Sequence, residues 1–443
     1  PDYTEIRRSA LVVVRPQRLD ACRLIKPAIT YPKRGTAHQM SEHTHDHHHH
    51  THELWPDGYW EQPPRLGHGL EGHGAVDDFN IGRKPGPIFV NRRGEGGFSG
   101  IQTFAKLPVC LTPDDLVAGE MDVAICGVPW DSTATGRSGT NHGPLAIRMC
   151  DYVGGYGFPN AHLDVRVDAL ADLKICDYGD SPIHVGNTPA TFEAIRKFVG
   201  TIVESDAIPI IMGGDHAITW PCATAVADHY GYGKVGIVHF DAHADTGADM
   251  PGSLASHGTP MRKLIDSGAV PGKNFVQVGL RGYWPDQETL DWMDEQKMRT
   301  HFMAEINHDG FTKVLERAVD QALDQADHLY LSLDVDVTDP AFAPGTGTPE
   351  PGGLTSVDVL TAVRRLAAEV GIVAMDVVEV SPPYDDRGQI TALLANRAIR
   401  EALTGIAMHR KGLVSPHYAH PYALGQGLDS QGNPRNQIFR DRH

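Results

Sequence analysis

Short apolar runs alternate with segments of helical periodicity along most of the chain, from about residue 101 to residue 411. The apolar runs are of strand length, and they occupy residues 123–126, 208–212, 235–240, 275–278, 329–335 and 372–380. Between them, Thr188-Pro189 is predicted to cap one helix and Ser356 to open another, each with a single apolar face. Apolar strands that alternate with helices are typical of a parallel sheet covered on both sides. The sequence therefore predicts an α/β fold with a mostly parallel sheet.

The segments on either side of this region differ in composition. Residues 1–39 carry eight basic and three acidic residues, which favours added or upstream sequence before a natural start at Met40 over a transit-like or genuine extension. Seven histidines fall within the ten residues from His43 to His52, as in an engineered tag or a native metal-sequestering tract. Glycine and proline are then frequent to about Pro87. We predict an N-terminal extension at 1–84, the main domain at 85–411 and a tail at 412–443.

Charge and cysteine content argue against several classes of protein. A formal net charge of -17 disfavours nucleic-acid binding, which needs clustered Lys and Arg, and suits a small cationic partner better. The six cysteines form no CxxC pair and no regular framework, as expected of reduced thiols in the cytoplasm. No apolar run approaches the roughly 18 residues of a membrane span, and no secretory signal is visible. We expect a cytoplasmic protein that binds neither nucleic acid nor membrane.

Acidic residues and histidines collect where the predicted strands end. The run 208–212 is followed by Asp215 and His216, the run 235–240 by Asp241, His243 and Asp245, and the run 329–335 ends among Asp334 and Asp336. In a parallel sheet the ligand site lies outside the carboxyl ends of the strands, so these side chains are predicted to share one edge. Alternate residues of an extended segment point the same way, so the D-x-H-x-D and D-x-D spacings let the side chains converge.

Besides Asp215, four carboxylates and two imidazoles lie at this edge and need a counter-charge, because unpaired like charges repel one another strongly. Carboxylate and imidazole ligands without thiolate favour Mn²⁺, Ni²⁺ or another borderline divalent ion over a structural zinc. Two ions bridged by carboxylates lower the pKa of a shared water and make it a nucleophile near neutral pH. The sequence thus predicts a two-metal site at this edge of the sheet.

Six motifs in the same region resemble those of the ureohydrolase family, in its agmatinase branch. They are GVPWDSTATGRSGTNHGPLAIR at 127–148, GGDHAITWP at 213–221, HFDAHADT at 239–246, SHGTP at 256–260, SLDVDVTDPAFAPGTGTPEPGGLT at 332–355 and MDVVEVSPPYD at 375–385. The resemblance covers about residues 123–408, and six motifs in the right order make it specific. It implies a three-layer α/β/α arrangement, the arginase-like fold.

The resemblance also implies a role for each site residue. Six residues are implied as metal ligands, namely His216, Asp241, His243, Asp245, Asp334 and Asp336, with Asp241 and Asp334 bridging the two ions. Glu379 is implied to hold a guanidinium group through charge-assisted hydrogen bonds. His257, in the SHGTP turn, is implied as the proton shuttle, and Asp245 as a ligand that also orients the nucleophile.

The expected reaction is hydrolysis of a guanidino C–N bond with release of urea, supported by Mn²⁺ or Ni²⁺. Water activated between the ions attacks the guanidinium carbon that Glu379 orients, and His257 protonates the leaving amine. Two alternatives belong to other classes. One is a deacetylase of the related fold, which would use one zinc and a tyrosine. The other is a non-catalytic metal store or accessory protein, which only the histidine-rich tract suggests.

Three loops are expected to read the far end of the substrate, at residues 130–142, 246–255 and 281–286. The bulky side chains of Trp130, Trp220 and Trp284 either pack in the core or fill the pocket. If they fill it, the substrate is shorter than agmatine, for example guanidinobutyrate, guanidine or a small alkylguanidine. The resemblance implies a homo-oligomer, either a trimer or a hexamer. The histidine-rich tract suggests metal delivery, with a metal-delivery chaperone as a candidate partner.

Overall fold

One parallel sheet organises the main domain. The computed structural model describes residues 83–90, 95–152, 160–248 and 253–424. Within these ranges eight strands pair in the order β2-β1-β3-β8-β7-β4-β5-β6, and every neighbouring pair is parallel. The strands are β1 Val123–Gly127, β2 Ile175–Asp180, β3 Ile208–Met212, β4 Val235–Phe240, β5 Phe275–Val278, β6 Arg299–His301, β7 His328–Asp334 and β8 Ala374–Val378.

The six predicted strands are confirmed as β1, β3, β4, β5, β7 and β8. The bounds of β3, β4 and β5 are as predicted, whereas β8 begins two residues later and ends two residues earlier. The sequence did not predict β2 and β6, which are the two edges of the sheet. An edge strand pairs on one side only and therefore needs no continuous apolar run. Indeed β2 ends on Asp180, and β6 is only three residues long.

Helices cover both faces of the sheet. They are α1 Pro113–Gly119, α2 Gly143–Met149, α3 Ala169–Asp172, α4 Thr188–Glu204, α5 Thr219–Tyr230, α6 Pro260–Asp266, α7 Gln287–Glu295, α8 Met303–Asp309, α9 Phe311–Gln321, α10 Ser356–Arg365 and α11 Ile390–Arg410. Alternate strand residues face opposite sides, so Val123 and Ile125 pack towards α2, α10 and α11, whereas Ala124 and Cys126 pack towards α4, α5 and α6. The predicted three-layer α/β/α fold is confirmed.

Local sequence explains how the two predicted helices begin. The first turn of α4 contains Thr188 and Pro189, but the side chain that caps it belongs to Asn187, whose Oδ1 accepts the Ala190 N–H at 3.1 Å. The predicted Thr188-Pro189 cap was therefore wrong by one residue, because an amide oxygen one position earlier reaches the free N–H. Helix α10 begins at Ser356 as predicted, and Thr355 and Asp358 form a reciprocal capping box there.

Four central strands bring the predicted site residues to one edge. Strands β3, β8, β7 and β4 are consecutive neighbours, and the chain leaves each at the same end of the sheet because all run parallel. The sequences after these four ends are those that carry His216, Glu379, Asp336 and Asp241. The topology therefore explains why motifs separated by up to 163 residues meet.

The flanking segments lie largely beyond the described ranges. The predicted extension at 1–84, with its histidine-rich tract, falls outside them except for residues 83 and 84, and the tail is described only to residue 424. The domain boundaries therefore stay predictions. The five cysteines within the described ranges are all free. None of the helices in those ranges combines the length and apolar character that crossing a membrane requires.

Candidate metal centre and substrate cavity

Three carboxylates converge on the imidazole of His216, which follows β3. Its Nδ1 atom lies 2.9 Å from Asp245 Oδ2, 3.0 Å from Asp241 Oδ2 and 3.1 Å from Asp334 Oδ2. Despite these short distances, Nδ1 has no hydrogen-bond partner of acceptable geometry among the described residues. The aspartate oxygens therefore surround this nitrogen without sharing a proton with it.

The proton of His216 is held on the other ring nitrogen. Ser332 Oγ donates to Asp376 Oδ1 at 2.8 Å, so it must accept a hydrogen bond from His216 Nε2 at 3.0 Å. Asp376 is fully buried, and its second oxygen accepts hydroxyl hydrogen bonds from Thr219 and Tyr330. With the proton on Nε2, the lone pair of Nδ1 points at the aspartates. This is the state of a metal-binding histidine, whose tautomer is fixed by the hydrogen bond of its other nitrogen.

A second group of ligand atoms surrounds His243. Its Nδ1 lies 3.1 Å from Asp336 Oδ2 and 3.5 Å from Asp241 Oδ1. Asp241 thus faces His216 with one oxygen and His243 with the other. The Asp336 N–H donates to Asp334 Oδ1 at 2.8 Å, so a hydrogen bond also links Asp336, beside His243, to Asp334, beside His216. The structure brings all six predicted ligand residues together, and Asp241 stands between the two imidazoles.

The electrostatics of the cluster favour bound cations. Burial alone would lower the pKa of His243, but the carboxylates of Asp336 and Asp241 raise it to about 12. Burial, together with the charges of Asp336 and Asp241, raises the pKa of Asp334 well above its ordinary value. Buried carboxylates that repel one another and keep the imidazole of His243 protonated indicate that the cluster is short of positive charge. Oxygen and nitrogen donors in this arrangement, with one unpartnered imidazole nitrogen, fit divalent metal ions.

Glu379 joins the metal-ligand cluster to the cavity. It follows β8 with φ at 64°, and its N–H donates to the Gly214 carbonyl at 2.9 Å. Its Oε1 accepts from the His216 N–H at 2.9 Å and from His257 Nδ1 at 3.1 Å. Its Oε2 is buried and has no partner among the described residues. One oxygen of this carboxylate is therefore anchored, and the other is free to accept hydrogen bonds from a ligand.

His257 lies between Glu379 and the loop after β1. Its Nε2 accepts a hydrogen bond from the Thr135 N–H at 3.2 Å and lies 2.7 Å from Thr135 Oγ1, so the proton of the neutral ring is on Nδ1. Burial alone would lower the pKa of His257, but the hydrogen bond and charge of Glu379 raise it to about 9. Asp215 fixes the same loop by accepting from the Thr133 N–H at 3.0 Å. These contacts position a proton-bearing nitrogen beside Glu379.

A cavity of about 660 Å³ opens beside these residues, and its wall includes His243, Asp245, His257, Asp334 and Glu379. All three loops predicted to read the substrate contribute, although residues 249–252 lie outside the described ranges. The three predicted tryptophans have different roles. Trp130 and Trp220 pack edge-on against Phe192 and do not line the cavity. Trp284 does line it, with its ring 6.3 Å from that of His243.

Several residues of the site were not predicted from the sequence. On the far wall, Arg262 stacks 3.8 Å above the Trp292 ring and donates from Nε to the Thr246 carbonyl at 2.8 Å. Nothing in the spacing indicated this pair, because α6 and α7 meet only in the folded chain. His239 lies beside His216, within hydrogen-bond distance of Asp241. The alternation His239, Asp241, His243 was a usable signal, since residues two apart on a strand share a face.

Comparisons with known proteins agree with this geometry. The sequence model of the arginase family matches residues 121–405. Guanidinopropionase from Pseudomonas aeruginosa is 36% identical over 313 residues, which cover 70% of this chain and 93% of that protein. Agmatinase from Bacillus subtilis is 36% identical over 287 residues, covering 65% and 92%. Among solved structures, proclavaminate amidinohydrolase from Streptomyces clavuligerus superposes with a TM-score of 0.64 at 32% identity, covering 71% of this chain and all of that one.

Proposed function

The chain belongs to the arginase family, and from that premise we propose that it hydrolyses the guanidino group of a small substrate and releases urea, with the help of two divalent metal ions. The relatives named guanidinopropionase, guanidinobutyrase and agmatinase support a guanidino substrate. The observation that carries the proposal is the free, buried Oε2 of Glu379, which lines the cavity beside the aspartate and histidine cluster. A planar cation with several N–H donors is the ligand that such an anchored carboxylate suits.

The six clustered residues would hold the two ions. His216 and Asp245 would bind one ion and His243 and Asp336 the other, and we propose Asp241 and Asp334 as bridges. The two oxygens of Asp241, which face different imidazoles, support the bridging role. When bound, the two ions supply an activated water near neutral pH. The mixture of oxygen and nitrogen donors without thiolate supports Mn²⁺ or Ni²⁺.

The side chains around the cavity account for the remaining chemistry. Glu379 Oε2 accepts N–H hydrogen bonds from the guanidinium and fixes its plane, so that one face of its carbon is turned to the attacking water. Asp245 lines the cavity and accepts a hydrogen bond from that water. The new bond joins the water oxygen to the guanidino carbon, and the proton that the water loses passes to the Asp245 carboxylate. His257 holds a proton on Nδ1, and transfer of this proton to the leaving nitrogen allows the C–N bond to break.

The cavity supports agmatine or a smaller guanidino compound as substrate, such as guanidinobutyrate, guanidine or an alkylguanidine. Because Trp130 and Trp220 pack elsewhere, about 660 Å³ remains open, which is within the usual range for small-molecule sites. An alkyl chain attached to the bound guanidinium would extend along the Trp284 wall. The proposed trimer or hexamer, the cytoplasmic location and the metal-delivery chaperone stay predictions.

The test is a urea-release screen of the metal-free protein reloaded separately with Mn²⁺ and with Ni²⁺. The substrates are agmatine, arginine, guanidinobutyrate, guanidinopropionate and guanidine, and the controls are Asp241→Asn and Asp334→Asn. We expect urea from at least one substrate and loss of both metal and nearly all turnover in the two variants. No urea from any guanidino compound with either metal would refute the proposal, and two full metal equivalents with a normal rate in either variant would refute the ligand assignment.

The two alternative functions receive less support. A deacetylase of the related fold would use a tyrosine, but the described residues that line the cavity include none. A metal store would need neither the unpartnered oxygen of Glu379 nor its contact with His257. Both features have a use in guanidino hydrolysis, and we therefore retain the hydrolase as the proposed function.

A further inference from the structure

His239 is a third imidazole in the metal-ligand cluster, at the end of β4. Its ring nitrogen and the ligand atoms of His216, Asp241 and Asp245 all lie within 4.8 Å of one another, which is close enough for one ion to bind all four. We infer that His239 is instead a fixed hydrogen-bond donor to Asp241, and that Gln277 on β5 sets it in this state. The inference rests on the proposed metal centre and concerns which imidazoles bind its ions.

The side-chain amide of Gln277 determines which nitrogen of His239 carries the proton. Gln277 Nε2 donates to the Ala244 carbonyl at 2.7 Å and to His239 Nδ1 at 3.0 Å, so both of its protons are used. The reverse amide orientation would bring the Gln277 oxygen against the Ala244 carbonyl oxygen. His239 Nδ1 therefore accepts, and the proton of the neutral ring is on Nε2.

This tautomer directs His239 towards Asp241 and away from metal binding. Nε2 lies 2.8 Å from Asp241 Oδ2, and its proton occupies the space between the two atoms. A nitrogen that carries a proton has no lone pair to offer an ion, and Nδ1 is occupied by Gln277. His216 differs, because its Nδ1 has no hydrogen-bond partner among the described residues. The two neighbouring imidazoles thus have opposite roles, one as a ligand and one as a support.

The same contacts hold the ligand segment after β4 at two points. His239 and Gln277 are register partners on the parallel strands β4 and β5, and both side chains are fully buried. Through His239, Gln277 fixes the carboxylate of Asp241, and through the Ala244 carbonyl it fixes the backbone next to Asp245. Two aspartates proposed to bind metal are therefore positioned by one amide on the adjacent strand.

The direct test counts the imidazoles bound to metal. The full-length protein is loaded with two equivalents of Mn²⁺ and studied by X-ray absorption. Mn²⁺ is chosen because it binds nitrogen ligands least tightly of the first-row divalent ions, which limits capture by the histidine-rich tract. We expect two imidazoles for each pair of ions, and the same number in His239→Gln. His243→Gln is the positive control, in which the count should fall.

Measurements of Mn²⁺ affinity distinguish hydrogen bonding from His239 to Asp241 from a role of His239 in packing alone. His239→Phe removes the donor and should weaken Mn²⁺ binding roughly 10- to 100-fold, whereas His239→Gln, which keeps an N–H donor, should recover most of it. Gln277→Leu should behave like His239→Phe, and it is the second variant if His239→Phe does not fold. His229→Gln, an exposed histidine on α5, is the matched control and should leave affinity unchanged.

Three outcomes would overturn the inference. One is a count of three imidazoles in the wild type, another is a lower count in His239→Gln, and the third is equal Mn²⁺ affinity in His239→Phe and the wild type. Failure of the wild-type protein to bind any Mn²⁺ would overturn the proposed metal centre itself, and this inference with it. The two failures are therefore distinguishable.

Discussion

At the scale of single residues, the two carboxylates proposed to contact the reacting groups have unusual backbones. Asp245 has φ at 54° and Glu379 at 64°, in the left-handed region that is unfavourable for residues other than glycine. Such a conformation costs on the order of 1–3 kcal/mol and persists only where its surroundings enforce it. Here the Asp245 carbonyl accepts from the Met261 N–H at 3.0 Å, and the Glu379 N–H donates to Gly214. The strain occurs where two side chains must turn into the cavity.

The role of Glu379 predicts a specific kinetic result. Glu379→Gln should keep both metals but lower kcat/KM about 10- to 150-fold, because a charge-assisted hydrogen bond contributes roughly 1.5–3 kcal/mol. Bound metal is measured by elemental analysis alongside urea release. Glu204→Gln changes an exposed acid at the end of α4, outside the cavity, and is the matched control. Loss of metal from Glu379→Gln would mean that Glu379 is a ligand.

The ion pair of His257 with Glu379 predicts how stability depends on pH. Glu379 raises the pKa of His257 to about 9 in the folded protein, against about 6.5 for an exposed histidine. Protonated His257 therefore stabilises the fold fully below pH 6.5, and this stabilisation is lost as the pH rises through 9. Thermal unfolding of metal-free wild type and His257→Asn should differ at pH 6 and converge by about pH 10. A difference that grows with pH would contradict the ion pair.

Residue types and their positions at strand ends predicted that Asp and His side chains would gather at one edge of the sheet, and the family resemblance implied which six of them bind metal. Period-two alternation holds only within an extended strand, whereas β4 ends at Phe240 and the chain bends at residues 242–243. Asp245 has φ at 54°, so it reaches the cluster through a left-handed backbone turn that the spacing did not predict. The same argument could not predict the support that His239 provides. Its tautomer depends on Gln277, which is 38 residues away and identifiable as a neighbour only once the register of β4 and β5 is known.

At the scale of helices and strands, the burial of an element determines how accurately the sequence predicts it. The central strands β3, β4 and β7 are buried almost throughout, so their apolar runs predicted them with errors of at most one residue at either end. The edge strands β2 and β6 carry polar residues, and only pairing in the folded sheet gives them strand geometry. The first turn of α4 is capped by the side chain of Asn187. Residue type alone does not distinguish Asn187 from Thr188 as the capping residue.

The cap of α4 gives a stability prediction. Asn187→Ala should lower the free energy of unfolding by about 1 kcal/mol, because the Ala190 N–H loses its side-chain acceptor. Thr188→Ala, one residue later, is the control and should change it by less than about 0.5 kcal/mol. Chemical denaturation at fixed metal content measures both variants. A larger loss of unfolding free energy in Thr188→Ala than in Asn187→Ala would indicate that Thr188 caps the helix, as the sequence predicted.

At the scale of the whole molecule, the net charge and the position of the buried cluster both favour the binding of cations. The net charge of -17 attracts a cationic substrate and divalent ions from a distance, although salt screens such attraction beyond roughly 8 Å at physiological ionic strength. Strong binding therefore depends on the buried cluster at the edge of the sheet. The histidine-rich tract between His43 and His52 adds seven imidazoles to the same chain, more than 160 residues before His216.

We predict that this tract serves metal delivery and has no part in the chemical step. Imidazole nitrogens bind divalent ions, Ni²⁺ more tightly than Mn²⁺, so the tract should matter most when metal is scarce. Deletion of residues 41–53 should leave turnover unchanged once the purified enzyme is saturated with metal, and should lower metal content in cells starved of it. A truncated enzyme that is fully loaded yet inactive would contradict the prediction, whereas equal loading in starved cells would leave the tract without a delivery role.

Different elements supply the two sides of the cavity, and this bears on how such enzymes come to accept new substrates. The groups proposed to act on the guanidino head are fixed by the ends of β3, β4, β7 and β8, whereas much of the distal wall, with Arg262, Trp284 and Trp292, comes from α6, α7 and the loop between β5 and α7. A mutation on that wall alters which tail is accepted without disturbing the centre that breaks the bond. A lineage could therefore come to accept a different substrate tail while the groups at the strand ends stay in place.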